Sequence, residues 1–285
     1  MKKGLVNRSM KVKMINHESL TERQTRELVY HREHAELHKE ILNQPISYDV
    51  VLNKKRRWWN QLWAMYSYLL NKELRGKNVL VMGCGFGLDA ILLARTGANV
   101  TAFDLSPEAI LIARELANRE GLKIAFAKMP AEKLRYDSDS FDVVFARDIL
   151  HHVDIPTTIA EILRVSKPGA IFYFNEVYSH SLMTRVRCSK IIDNWLYPKL
   201  VKFIYQGKKA YITEDERKLT ETDVRLFLSL MVKPETKKYF YVGVTRLAPD
   251  TYAVLSKMDR LLLILLAPIA HVLGSRVLVG GVLKE

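Results

Sequence analysis

Hydrophobic and polar positions change rhythm along this chain. Up to about residue 75 the pattern is charged and helix-forming. Residues 21–42, TERQTRELVYHREHAELHKEIL, predict one helix. Residues 54–74, KKRRWWNQLWAMYSYLLNKEL, predict a second, basic at its start and aromatic along its length. Pro45 and the stretch ISYDVV read as the break between them.

From Lys77 the rhythm is that of short buried strands alternating with helices. KNVLVMG is an apolar run without alternation, as a parallel strand covered on both faces requires. A helix follows, GLDAILLARTGA, expected to stop at Gly97, and then a second strand, NVTAFDLS, which contains Asp104. Ser106 as N-cap, Pro107 at the first helical position and Gly121 as terminator frame the next helix. KIAFAKM and FDVVFARDIL read as strands three and four. IPTTIAEILRVSKPGA reads as a helix closed by Pro-Gly, and IFYFNEVY as strand five. Two late strands are expected, at KKYFYVGV and SRVLVGGVLKE, joined by a helix that carries the apolar run Leu261–Ala270. These features predict an α/β fold with a doubly wound, mostly parallel seven-stranded sheet. Residues 1–75 would form a helical cap, and residues 76–285 one domain with a helical insertion at about 179–238.

Composition narrows the partners. The chain has 285 residues and a net charge of +13, which favours anionic partners or surfaces. The basic residues are dispersed and no dense basic motif or NPPY-type string occurs, so no nucleic acid is expected. The basic N-terminus lacks the apolar core of a signal peptide, and Leu261–Ala270 is too short to span a bilayer. Two cysteines, Cys84 and Cys188, make no disulfide scaffold. A reduced, cytoplasmic setting is the simpler reading.

The densest chemical signal is VMGCGFGLD, residues 81–89. Glycines let the backbone approach a ligand closely, and the free N–H groups of the next helix favour polar or anionic ligand atoms. Asp104 lies 21 residues beyond Gly83, at the end of the next strand, where an acid suits the two hydroxyls of a ribose. By spacing alone a nicotinamide-dependent oxidoreductase fits as well.

The segments VLVMGCGFGLDAILLARTGANVTAFDLSPEAILIARELA, LRYDSDSFDVVFARDILHHV and EILRVSKPGAIFYFNE together resemble the motifs of class I S-adenosylmethionine-dependent methyltransferases over roughly residues 77–177. The resemblance implies S-adenosyl-L-methionine as cofactor. It places Gly83, Cys84, Gly85 and Gly87 in the turn under the cofactor's amino-acid part. Asp104 would take the ribose hydroxyls and Leu105 would flank the adenine, with the Ala131 N–H at a ring nitrogen. Arg147 and Asp148 would face the methionine moiety or the substrate mouth. Two positions depart from the family pattern. Met82 stands where an acid is common, and Pro130 stands where an Asp often contacts the adenine.

Methyl transfer is an in-line attack on a sulfonium, helped by positioning and, for an oxygen nucleophile, by a base. His151 and His152 follow strand four, where ligands gather in such folds. His180 follows strand five, and Glu176, Tyr178 and His180 alternate as a candidate polar wall. His31, His34 and His38 lie along the first helix, and in the resembling family N-terminal helices often cover the cofactor, so Tyr30, His31 or His34 could close over the reacting atoms. The catalytic candidates are His151, His180 and His34. The histidine spacings of that helix could bind metal, but no nearby Cys or acid completes a site, and no metal is expected. The expected reaction is O-methylation of an apolar, lipid-like small molecule or specialised metabolite. C- or N-methylation of a small molecule or peptide, or non-catalytic cofactor binding, are the alternatives. Basic residues interleaved with Trp195, Tyr197, Phe203 and Tyr205 leave open internal packing, a homodimer face, or peripheral contact with a membrane.

Overall fold

The computed structural model describes residues 20–52, 57–189, 217–243 and 252–284. Its centre is a seven-stranded sheet of order β3-β2-β1-β4-β5-β7-β6. The strands are β1 (Asn78–Met82), β2 (Asn99–Asp104), β3 (Ala125–Lys128), β4 (Phe141–Arg147), β5 (Ser166–Val177), β6 (Met231–Phe240) and β7 (Arg276–Leu283). β1 to β5 pair in parallel, whereas β7 runs antiparallel to both β5 and β6. The strand order reverses between β1 and β4, which opens a crevice at their carboxyl ends.

Alternation along the strands splits the core in two. Val79 and Val81 of β1 face one layer, while Leu80 and Met82 face the other. The first layer is covered by α1 (Glu22–Leu37), α3 (Gln61–Leu70), α4 (Leu88–Ala94) and α5 (Pro107–Arg119), with the short α2 (Asp49–Leu52) beside them. The second is covered by α6 (Ile155–Val165) and by the helix Glu221–Ser229. α7 (Ser181–Arg187) precedes that helix, which is therefore α8. α9 (Ala253–Leu265) and α10 (Ala270–Leu273) lie between the last two strands. Local sequence sets these boundaries. Ser106 caps α5 ahead of Pro107, Asp154 caps α6, and Thr21 with Gln24 forms a capping box on α1.

Several expected boundaries move: α1 ends at Leu37, α3 spans only Gln61–Leu70 of the expected 54–74, and Asp49–Leu52 in the expected break is helical. The helix before strand five ends at Val165, and Pro168-Gly169 lies inside β5 rather than closing the helix. β6 begins at Met231, within the stretch expected to be helical insertion. It is an edge strand, so polar residues and Pro234 are tolerated, and its register shifts between Pro234 and Thr236. The aromatic-basic stretch around Trp195 lies outside the described residues, and α8 opens on a capping box of Thr220 with Asp223. No helix among the described residues is long and apolar enough to cross a membrane. α9 nevertheless leaves Val254, Met258, Leu261 and Leu265 exposed.

Candidate functional site

A cavity of about 290 Å³ opens at the carboxyl ends of the first four strands. Its floor is the turn after β1 (Gly83, Cys84, Gly85, Phe86). Asp104 and Leu105 line it from β2, Met129 to Glu132 from β3, and Arg147 to Ile149 from β4. Gln24, Glu27, His31 and His34 of α1 form its roof. A broader groove at the opposite end of the sheet passes Asn78, Asn99 and Lys167. In open α/β sheets ligands collect at the carboxyl ends, so the smaller cavity is the site.

The turn is built for close approach. Gly83, Gly85 and Gly87 all have positive φ. A Cβ on Gly83 would fall 2.5 Å from Ile149 Cδ1, so the loop after β4 rests directly on it. A Cβ on Gly85 would meet nothing within 4 Å, leaving space above the turn for a ligand. Asp104 is tied to this turn. Its Oδ2 accepts the Gly85 N–H at 2.8 Å and its Oδ1 the Ser106 N–H at 2.9 Å. Each oxygen keeps a lone pair for a hydroxyl donor.

A second network braces the other wall. Tyr66 donates to Asp89 Oδ1 at 2.5 Å, and Asp89 Oδ2 receives Arg147 Nε at 2.6 Å. Asp89 holds Arg147 charged, above its ordinary range. Asp148 sits at φ 54 and receives Arg276 at 2.6 Å. Burial pushes its carboxyl up, but Arg276 and Arg147 outweigh this and hold it below the usual range. Burial and Asp104 push the Cys84 thiol well above its ordinary value, so it is a neutral wall group and not a nucleophile.

The wall is acidic on a basic protein. Five carboxylates (Glu27, Asp89, Asp104, Glu132 and Asp148) line the cavity against one guanidinium, Arg147. Such a wall suits a cationic ligand and opposes a pyrophosphate.

Residues 80–174 match the family model described as a methyltransferase domain. Over these residues the chain carries a methyltransferase domain of the class I S-adenosylmethionine-dependent kind. Its cofactor is S-adenosyl-L-methionine. The ubiquinone biosynthesis O-methyltransferase of Hahella chejuensis is 36% identical over 106 residues, 36% of this chain and 44% of the relative. That of Coxiella burnetii (strain Dugway 5J108-111) is 33% identical over 132 residues, 42% of this chain and 56% of the relative. The chain thus spans about half the length of the curated relatives it matches. A solved methyltransferase from Methanosarcina mazei shares the fold, with a TM-score of 0.51 at 20% identity, covering 76% of this chain and 98% of that one.

In this methyltransferase domain Gly83, Cys84, Gly85, Asp104, Leu105, Ala131 and Arg147 all line the cavity. Met82 does not. It is buried among Leu80, Phe103 and Ala146 in the second core layer, where an acid would be desolvated.

The histidines separate. His34 lines the cavity and stacks on Phe86 at 5.3 Å. Burial, then His38 and His31, lower its pKa to about 4, so it is neutral at pH 7. His151 lies just behind the wall, with Nδ1 2.7 Å from Glu176 Oε2 and a ring nitrogen within 4.8 Å of an Asp148 oxygen. His180 does not line the cavity. It caps α7 by accepting the Leu182 N–H, because β5 ends at Val177 and the chain turns away. Tyr178 is buried and donates to the His271 carbonyl, so Glu176, Tyr178 and His180 do not form the expected wall. Tyr30 is likewise absent from the lining, whereas His31 and His152 are part of it.

Sequence reasoning passed over Glu27 and Asp89. Glu27 is only 4% exposed, and its signal was its place four residues before His31 on one helix face. Asp89 was visible only as the last letter of the turn.

Proposed function

We propose that the chain transfers a methyl group to an oxygen of an apolar, lipid-like small molecule. The observation that carries the reading is the cavity wall of five carboxylates and one guanidinium over the glycine turn. It favours a sulfonium cofactor over a nicotinamide dinucleotide. When bound, S-adenosylmethionine supplies an electrophilic methyl group. Asp104 would hold the ribose hydroxyls, and the Ala131 N–H would meet the adenine. Asp89 and Asp148, which line the cavity, would serve the cofactor's cationic amino group. His151 is the proposed base. Glu176 fixes its Nδ1 as the protonated nitrogen, which leaves Nε2 to accept the acceptor hydroxyl's proton.

The oxygen and lipid assignments draw on the relatives, which are named as ubiquinone biosynthesis O-methyltransferases. The exposed apolar side chains of α9 would suit a membrane-borne acceptor. The test uses radiolabelled S-adenosylmethionine with a prenylated phenol presented in vesicles, beside an amine acceptor and an acceptor with an activated carbon. Label on the phenol oxygen supports the reading. Transfer only to nitrogen or carbon, or NADH binding without transfer, overturns it.

A further inference from the structure

α1 and the loop after β4 bring three metal-ligand side chains together over the cavity. His31 Nε2 lies 3.5 Å from Glu27 Oε2, and His152 Nδ1 lies 3.1 Å from Glu27 Oε1. The two imidazoles meet edge to face, with centroids 5.7 Å apart. One donor atom from each residue falls within 4.8 Å of the other two. Around a tetrahedral zinc ion with bonds of about 2.0–2.1 Å, neighbouring donor atoms are about 3.3 Å apart. The two separations, each to a different oxygen of the carboxylate, lie close to that edge length.

The hydrogen bonding points the same way. His152 Nδ1 is buried and, although 3.1 Å from Glu27 Oε1, makes no hydrogen bond. A buried nitrogen in that state calls for another partner, and a shared cation supplies one. Glu27 is itself buried, and the surrounding wall is rich in carboxylates, so a cation is electrostatically welcome there.

We propose that Glu27, His31 and His152 bind a divalent transition-metal ion of the zinc class. Two imidazoles and a carboxylate are the donor set such ions take. Three protein ligands leave a coordination position for a cavity ligand, the pattern of catalytic zinc sites. An acceptor hydroxyl bound there would be made more acidic, easing the transfer of its proton to the proposed base, His151. That use rests on the methyl-transfer reading, whereas binding of the ion does not. The ion would also tie α1 to the loop after β4 and hold the roof on the cavity.

Equilibrium dialysis of the tag-free, chelator-treated chain against zinc sulfate, followed by metal analysis, tests the site. One zinc per chain is expected. Glu27→Gln and His31→Gln should each weaken binding by about ten-fold or more. His38→Gln, at the C-cap of α1 and outside the trio, should leave it unchanged. Cobalt(II) in place of zinc should give the visible absorption of a tetrahedral site, lost in the same two variants. Circular dichroism establishes that each variant is folded. No zinc uptake by the wild-type chain, or uptake that folded Glu27→Gln and His31→Gln leave unaltered, overturns the proposal whatever the transfer assay gives.

Discussion

Glu176 Oε2 lies 2.7 Å from His151 Nδ1, while Oε1 of the same carboxylate accepts the N–H groups of Ile149 and Leu150, each at 2.7 Å. The carboxylate is fully buried, and both its oxygens are committed. One side chain therefore shapes the loop after β4 and sets the tautomer of the proposed base.

Replacing Glu176 separates these roles. In Glu176→Gln the amide oxygen can still accept the two backbone N–H groups, while the amide nitrogen donates to His151 Nδ1. That moves the imidazole proton to Nε2 and removes its capacity as a base. The expected result is a fall in kcat of about 10²- to 10⁴-fold with little change in cofactor affinity. His151→Gln should match it. Full kcat in both folded variants would place the base elsewhere.

The glycine turn gives a paired prediction. Gly87 has φ 80, and a Cβ there would come within 2.8 Å of Ala113 Cβ on α5. Gly87→Ala should cost about 1–3 kcal/mol of stability, read as a lower urea midpoint. Gly85 has φ 50 with no atom near its missing Cβ, so Gly85→Ala costs only the backbone strain of about 1–2 kcal/mol. Its methyl group would occupy ligand space instead. Gly85→Ala should therefore weaken cofactor binding more than it lowers the midpoint, and Gly87→Ala the reverse.

His34 sets a pH dependence. Its folded pKa of about 4 is below the ordinary value of 6.5 because burial, His38 and His31 disfavour the charged ring. Between these values the unfolded chain binds a proton that the folded chain does not. Stability therefore falls as the pH drops below about 6.5 and stops falling from this source near pH 4. Thermal midpoints of wild type and His34→Gln, measured from pH 7.5 to 4.5, should diverge in that window, with the variant the less sensitive. Parallel curves would contradict it.

The parallel half of the sheet was legible because β1 to β5 carry continuous apolar runs between glycines and helix caps. Asp104 was legible because its place at a strand end is fixed by the βαβ rhythm. β6 was half hidden, since Met231–Phe240 carries Lys233, Glu235 and Lys238, as an edge strand can. His151 and His152 are adjacent in sequence, yet one pairs with Glu176 on β5 and the other approaches Glu27 on α1. No local pattern separates two neighbours whose partners lie on distant elements. Met82 looked like a missing contact, and the alternation of β1 turns it into the core instead.

Isothermal titration calorimetry with S-adenosylmethionine, its demethylated product and NADH tests the central claim most directly. The wild-type chain should bind the first two and not the third. Asp104→Ala should weaken both by about ten-fold or more, because hydrogen bonds to a charged acceptor contribute about 1.5–3 kcal/mol each. NADH binding in place of S-adenosylmethionine, or a folded Asp104→Ala chain that binds as tightly as wild type, would contradict the account.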